Sequence, residues 1–383
     1  MSRTKNMNNI ENRTNLRKAE VAAEFVAAKK LAVRLGDYQS LATLEKEIQY
    51  CLHSVQPKEM KGFKKELDRL STMADHLVDI IFSANGAGEY LKGAKVNHTA
   101  KTSMAGGVTS KDDLQIITRC GNSHKISLKM YKDITNVQVA SGTWLSTLTG
   151  LAFEPIGRGS FVAPDGEKVS SKTGHGGNWQ LLCNKLKEFY GPQVVACFEN
   201  IKDQTKDVHK YRTEEHKPKD WTKRCTKEAG KKVAPEFAKA LQHICDRDPD
   251  LFKHRILDRI GLTFSEGKDI IFLDAKKQYL SSFNDKEVRD WMVKINDTSA
   301  KLKMSAQGQS VKFFFTNGEE DLLEFNIPLT INSNGAWANK EGFHKKENMY
   351  LIEGQRRPIK SKQLDTSTNC WLNTPKTLIR KLP

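Results

Sequence analysis

The sequence predicts an α/β or α+β fold with a helical N-terminal arm. Apolar residues recur at helical spacing through residues 14–54 and again from about 58 to 83. Short apolar or alternating runs bounded by turn residues appear from residue 114 onward. Helical and strand patterns then alternate towards the C-terminus, which indicates helices flanking a modest mixed sheet.

Taken in order, Ala22, Phe25, Val26, Leu31 and Leu35 form one helical stripe, and Leu41, Leu44, Ile48 and Leu52 form a second. Gly36-Asp37 breaks the pattern between them, so residues 14–54 are expected to be a helical hairpin. A third helix is expected from about Lys58 to Ser83, with Leu67, Leu70, Ala74, Leu77, Ile80 and Ile81 on one side and a stop at Asn85-Gly86-Ala87-Gly88. Leu114–Thr118 and Lys125–Met130, separated by Gly121-Asn122, are expected to pair as a β-hairpin. A helix is expected around Val137–Leu148. Strands are expected at Asp269–Asp274, Val311–Thr316 and Leu322–Ile327, the last two joined at Asn317-Gly318. Residues 235–246 have a helical pattern.

The chain has 383 residues, enough for one large domain or two ordinary ones. No apolar run approaches the roughly 18 residues of a membrane span, so no membrane partner is expected. The opening MSRTKNMNNIENRTNLRK has no apolar signal core, which argues for a cytoplasmic protein. The seven cysteines form no C-x-x-C pair, and scattered thiols of this kind are expected to be free and reduced.

Charge points to the partner. Lysine and arginine total 62 against 46 acids, a formal net charge of +16. Such an excess favours a polyanion, which releases counterions when its phosphates are neutralised. Residues 202–232 hold eleven Lys/Arg against six Asp/Glu, with Tyr211 and Trp221 interleaved; residues 356–381 hold seven against Asp365 alone. Basic tracts with aromatic residues suit phosphate contact and base stacking. Lys210, Arg212, Lys223, Arg224, Arg356 and Arg357 are the contacts expected, with DNA as the polyanion and RNA fitting the same chemistry.

Chemistry concentrates in the hairpin KDDLQIITRCGNSHKISLKM. Ser127 and Lys129 are two apart on its second strand and share a face. Asp113 opens the first strand and can meet that face, which places a carboxylate beside an ammonium and the Leu128 carbonyl. A carboxylate and a carbonyl are ligands for Mg2+ or Mn2+, and a lysine beside the ion can orient a water and balance charge on a pentacovalent phosphate.

These residues resemble the PD-(D/E)XK nuclease superfamily, which includes many restriction enzymes. Asp113 matches its first acid and Lys129 its lysine; Ser127 stands where the second acid belongs, giving a D…SLK variant. The likeness covers roughly residues 75–150. It implies a restriction-endonuclease-like mixed sheet flanked by helices, a nuclease core over 58–200, an N-terminal arm over 1–57 and a DNA-binding region over 201–383. It also implies a Gln-bearing helix after the strand, with Gln138 near the site, and a further acid from the preceding helix, where Asp75 and Asp79 share a face. Asp113, Leu128 and Asp79 are then the metal ligands, and Asp113, Ser127, Lys129 and Gln138 the catalytic set. The implied activity is metal-dependent DNA cleavage, by a homodimer if both strands are cut together. The alternative is a nucleic-acid-binding protein on a degenerate nuclease fold.

Other motifs are weaker. Asp269, Asp274 and Lys276 form a second acid-and-lysine set, but no turn separates the two acids, so a plain sheet strand is the better expectation. The glycine-rich residues 171–178 lack the P-loop order, and no HExxH or GxSxG occurs.

Overall fold

The computed structural model describes residues 15–55, 57, 60–83, 87–99, 113–157, 159–171, 178–206, 218–332 and 365–382. The chain is a mixed α/β protein with a helical N-terminal segment. It divides into two compact units, each assembled from separated stretches. The first comprises residues 1–137, 261–297 and 373–383; the second comprises 138–260 and 298–372. The divisions expected after residues 57 and 200 therefore fall inside units: the arm belongs with the hairpin, and the hairpin's sheet is completed by residues beyond 260.

The first unit opens with α1 (Asn15–Leu35) and α2 (Tyr38–His53), the expected helical hairpin. Asp37 caps α2 through Ser40 and also accepts from the Val96 N–H at 2.9 Å, which ties the hairpin's turn to the sheet. α3 (Met60–Phe82) presents Leu70, Met73, Ala74, Leu77, Ile80 and Ile81 to α1, whose facing stripe is rich in alanine and allows close approach. The one-turn helix α4 (Ala87–Leu91) leads to the sheet.

That sheet has six strands in the order β1-β2-β3-β8-β9-β15. β1 (Lys95–His98), β2 (Leu114–Ile117) and β3 (Ser123–Tyr131) form an antiparallel meander. β8 (Lys268–Asp274) lies parallel to β3, in unbroken register from Lys125↔Lys268 to Tyr131↔Asp274. β9 (Gln278–Ser281) and β15 (Arg380–Lys381) continue it antiparallel. One face is apolar: Val96, Leu114, Ile116, Ile126, Leu128, Ile271 and Leu273 join the buried side chains of α1 and α3 in a single core. Strand alternation places Ser127, Lys129, Ile270, Phe272 and Asp274 on the opposite face.

The second unit carries β4 (Asn136–Ala140), α5 (Trp144–Ala152), the small sheet β5 (Glu154–Gly157), β6 (Ser160–Val162) and β7 (Lys168–Ser170), then α6 (Trp179–Tyr190), α7 (Pro192–Lys206), α8 (Pro218–Arg247) and α9 (Pro249–Ile260). α10 (Lys286–Asn296) belongs to the first unit. The second unit's main sheet runs β10 (Lys301–Gln307), β11 (Ser310–Asn317), β12 (Glu320–Asn332), β14 (Cys370–Asn373), β4, with β13 (Asp365–Thr368) also paired to β12. Phe313 stacks on Phe325 across β11 and β12 with ring centroids 4.4 Å apart, and α8 packs over this sheet.

One expectation is corrected here. The helix expected over Val137–Leu148 starts at Trp144, behind a Thr143 cap, and residues 136–140 form a strand because Val137 and Val139 alternate with polar residues. In the basic stretch after Lys202, α7 reaches Lys206 and α8 begins at Pro218. Further on, residues 365–368, 370–373 and 380–381 supply strands to both large sheets.

Candidate active site on the β2–β3 hairpin

Asp113 lies immediately before β2, and the antiparallel pairing Leu114↔Ile126 carries it alongside β3. Its backbone N–H donates to the Ile126 carbonyl at 2.9 Å. Its carboxylate Oδ2 accepts from the Leu128 N–H at 2.7 Å and from Lys129 Nζ at 3.2 Å. Lys129 Nζ also donates to the Leu128 carbonyl at 3.2 Å. The hairpin thus brings together Asp113, Leu128 and Lys129. Ser127, which precedes Leu128 on β3, is buried at 5% exposure.

Burial governs the electrostatics. The Asp113 side chain is 16% exposed and that of Lys129 25%. Desolvation pushes the Asp113 carboxyl up to about 6, and the positive charge of Lys129 opposes the rise. Glu24 on α1 adds to it: a second negative charge in the neighbourhood disfavours ionisation of the first. Glu24 is held by His98, whose Nε2 lies 3.1 Å from Glu24 Oε2 while its ring stacks on Phe25 at 4.0 Å.

Among the helix acids, Glu24 acts on Asp113 through its charge. Asp79 is exposed on α3 and makes no hydrogen bond or ion pair with Asp113 or Lys129 among the described residues. Asp75 pairs with Lys30 at 2.5 Å. Gln138 sits on a strand, β4 of the second unit's sheet, where a helix was expected. Lys210, Arg212, Arg356, Arg357, Asp112 and residues 172–177 lie outside the described residues; Lys223 and Arg224 fall within α8.

No family model, curated protein or solved structure matches this chain.

The second acid-and-lysine set separates as expected of a plain strand. Asp269 and Asp274 lie at opposite ends of β8 and, five apart, on opposite faces. Asp274 is fully buried and its Oδ1 accepts from the Lys276 and Gln278 N–H groups, closing the β8–β9 turn.

A divalent ion can be weighed against the donors present. Among the described residues, no group of three or more His, Cys, Asp or Glu side chains could hold a metal alone. Among the described residues both donors converge on Oδ2 of Asp113, and Oδ1 has none. One carboxylate oxygen and one carbonyl fit a magnesium-type ion completed by water and substrate phosphate, and do not fit an all-protein cage.

Proposed function

We propose that the chain is a metal-dependent endonuclease that hydrolyses DNA phosphodiester bonds, with Asp113 and Lys129 at its active site. The observation that carries this reading is the Asp113–Lys129 contact of 3.2 Å beside the Leu128 carbonyl, formed between the start of one strand and the middle of its antiparallel neighbour. A helix-flanked mixed sheet supports it, as does the +16 charge. The resemblance to PD-(D/E)XK nucleases rests on the same residues.

Asp113 and the Leu128 carbonyl would hold Mg2+ or Mn2+, which supplies Lewis-acid charge at the phosphate when bound. Lys129 donates hydrogen bonds to the attacking water or to a non-bridging phosphate oxygen. Asp113 and the Leu128 carbonyl orient that ammonium. Glu24, positioned by His98, supplies the further negative charge that the Ser127 substitution removes from β3.

A second reading is a nucleic-acid-binding protein without catalysis, and buried Ser127 in the place of a carboxylate favours it. Lys129→Ala separates the two. A group used mainly in the transition state lowers rate and leaves ground-state binding nearly intact. The expected result is loss of Mg2+-dependent plasmid nicking by about 100-fold or more, with an unchanged gel shift in Ca2+. Nicking at the parent rate would remove Lys129 from the mechanism. Absence of nicking in the parent, with binding retained, would establish the second reading.

A further inference from the structure

The first unit holds another cluster of reactive side chains, at the opposite end of β3 and on its other face. His124 and Lys129 are five residues apart on an unbroken strand, so the pleat turns them to opposite sides of the sheet. The Tyr90 hydroxyl lies 3.1 Å from His124 Nε2. His124 Nδ1 lies 3.3 Å from Oδ2 of Asp269, which is 4% exposed. Ser282 Oγ donates to Asp269 Oδ1 at 3.0 Å, and the Arg289 guanidinium stands 3.9 Å from the same oxygen. A carboxylate facing Nδ1 makes that nitrogen the donor and leaves the Nε2 lone pair towards the phenol. Asn122 Nδ2 donates to the phenol oxygen at 3.3 Å, the contact a phenolate needs. Tyr90 is nonetheless 45% exposed.

This is the arrangement of an activated nucleophile: hydroxyl, base, and a buried acid that orients the base. The surroundings select an anionic electrophile. Lys92, two residues beyond Tyr90, and Arg119, three before Asn122, are exposed, with no ion pair among the described residues. Arg119 is also held in place. Gly93 has φ +70°, and a Cβ there would stand 2.4 Å from Arg119 Nε, so the absence of a side chain lets the guanidinium lie on the α4–β1 connection. Arg119 and Asn122 share one turn, stabilised by the Thr118 N–H donating to the Asn122 carbonyl at 2.9 Å.

We infer that Tyr90 is a nucleophile for phosphoryl transfer from a nucleic-acid phosphodiester. The Tyr90 oxygen attacks phosphorus as its proton passes to His124 Nε2. The bond from phosphorus to the departing nucleoside oxygen breaks, and His124 returns the proton to that alkoxide. The products are a phosphotyrosyl ester on one nucleic-acid end and a free hydroxyl on the other; reversal rejoins them. His124 handles the proton and Asp269 is a positioning residue. No metal ion enters the balance, and the inference shares the polyanionic substrate of the proposed function but none of its residues.

The test uses the full chain in EDTA with two probes, an end-labelled oligonucleotide and thymidine 5′-(p-nitrophenyl phosphate). The expected result is an adduct that survives denaturing electrophoresis, together with a tryptic peptide bearing a nucleotidyl group at Tyr90. Tyr90→Phe should abolish it. His124→Gly should slow it by about 100-fold, with recovery on adding imidazole, which a purely structural role would not show. No adduct with either probe, or an adduct that persists in Tyr90→Phe, overturns the inference. Mg2+-dependent nicking lost in Lys129→Ala alongside that result would leave the proposed function standing.

Discussion

Asp113 illustrates how one residue can serve both fold and site. Its two backbone contacts lock the start of β2 to β3, and its carboxylate steadies Lys129. The folded state raises its carboxyl from 3.8 to about 6, so between those values the folded chain binds more protons than the unfolded one. Stability from this group is therefore present at low pH, declines as pH rises from about 4 to 6, and is level above. Asp113→Asn keeps an acceptor for the Leu128 N–H and does not titrate. Urea midpoints of the two proteins should thus diverge in favour of the variant across that window and run parallel above pH 7. A constant difference from pH 4 to 8 would show that Asp113 has the same proton affinity folded and unfolded. Nicking should fall below pH 6 for the same reason, because protonated Asp113 neither ligates a cation nor orients the ammonium.

At the scale of elements, the first unit depends on a tight approach between the N-terminal ends of β3 and β8. Gly267 has φ +74°, and a Cβ there would stand 2.5 Å from the Ser123 carbonyl oxygen, which is backbone and cannot swing aside. The Gly267 carbonyl accepts from the Lys125 N–H at 2.7 Å, the first rung of the parallel pair. Gly267→Ala combines a left-handed backbone with a steric overlap and should cost about 2 kcal/mol or more. Chemical denaturation measures this, and a cost below about 0.5 kcal/mol would mean that the turn yields without loss.

The elements also show what was legible in sequence. The helical hairpin, α3, the β2–β3 hairpin, β8, β11 and β12 all carry clean periodicity, and Asp113 with Lys129 could be paired from the pleat alone. β9 and β15 could not, since strands of four and two residues hold too little pattern to stand out. The strand at 136–140 was hidden because its two valines also fit a helix stripe continuing to Leu148. Glu24 sits within an alanine-rich stripe as a single polar exception and signals nothing until His98 is beside it. Tyr90, His124 and Asp269 span 180 positions, and only the parallel pairing of β3 with β8 unites the last two.

For the whole molecule, the net charge of +16 predicts salt-sensitive binding to nucleic acid. Deleting the chain beyond residue 354 is a poor test of the C-terminal cations, because it also removes β13, β14 and β15 from their sheets. Arg380 in particular is structural, with Nε 2.8 Å from Asp285 and Nη2 2.7 Å from Glu287. Replacing Arg356, Arg357, Lys360 and Lys362 with glutamine keeps residues 365–382 in the chain. If all four neutralise phosphates, the slope of log K against log salt should flatten by roughly 3 to 4 for duplex DNA. An unchanged slope would assign phosphate contact to other cations, the tract of residues 202–232 first among them.

The interleaving of the two units has a consequence for synthesis on the ribosome. β3 ends at Tyr131, and its parallel neighbour begins at Lys268. At typical elongation rates the gap of roughly 140 residues takes about 7 to 30 seconds to emerge. Through that interval the meander β1-β2-β3 is complete except for one open edge, a template for pairing with another nascent chain. Lys125 and Lys129 lie along that edge, and charged side chains there discourage such pairing. A chain stopped at Ile260 should consequently be far more prone to aggregate than the full protein, and Lys125→Val should worsen it, both measurable by light scattering during cell-free translation. The lysine proposed to act on phosphate would then also serve the chain before it has finished folding, as a guard on an unpaired strand.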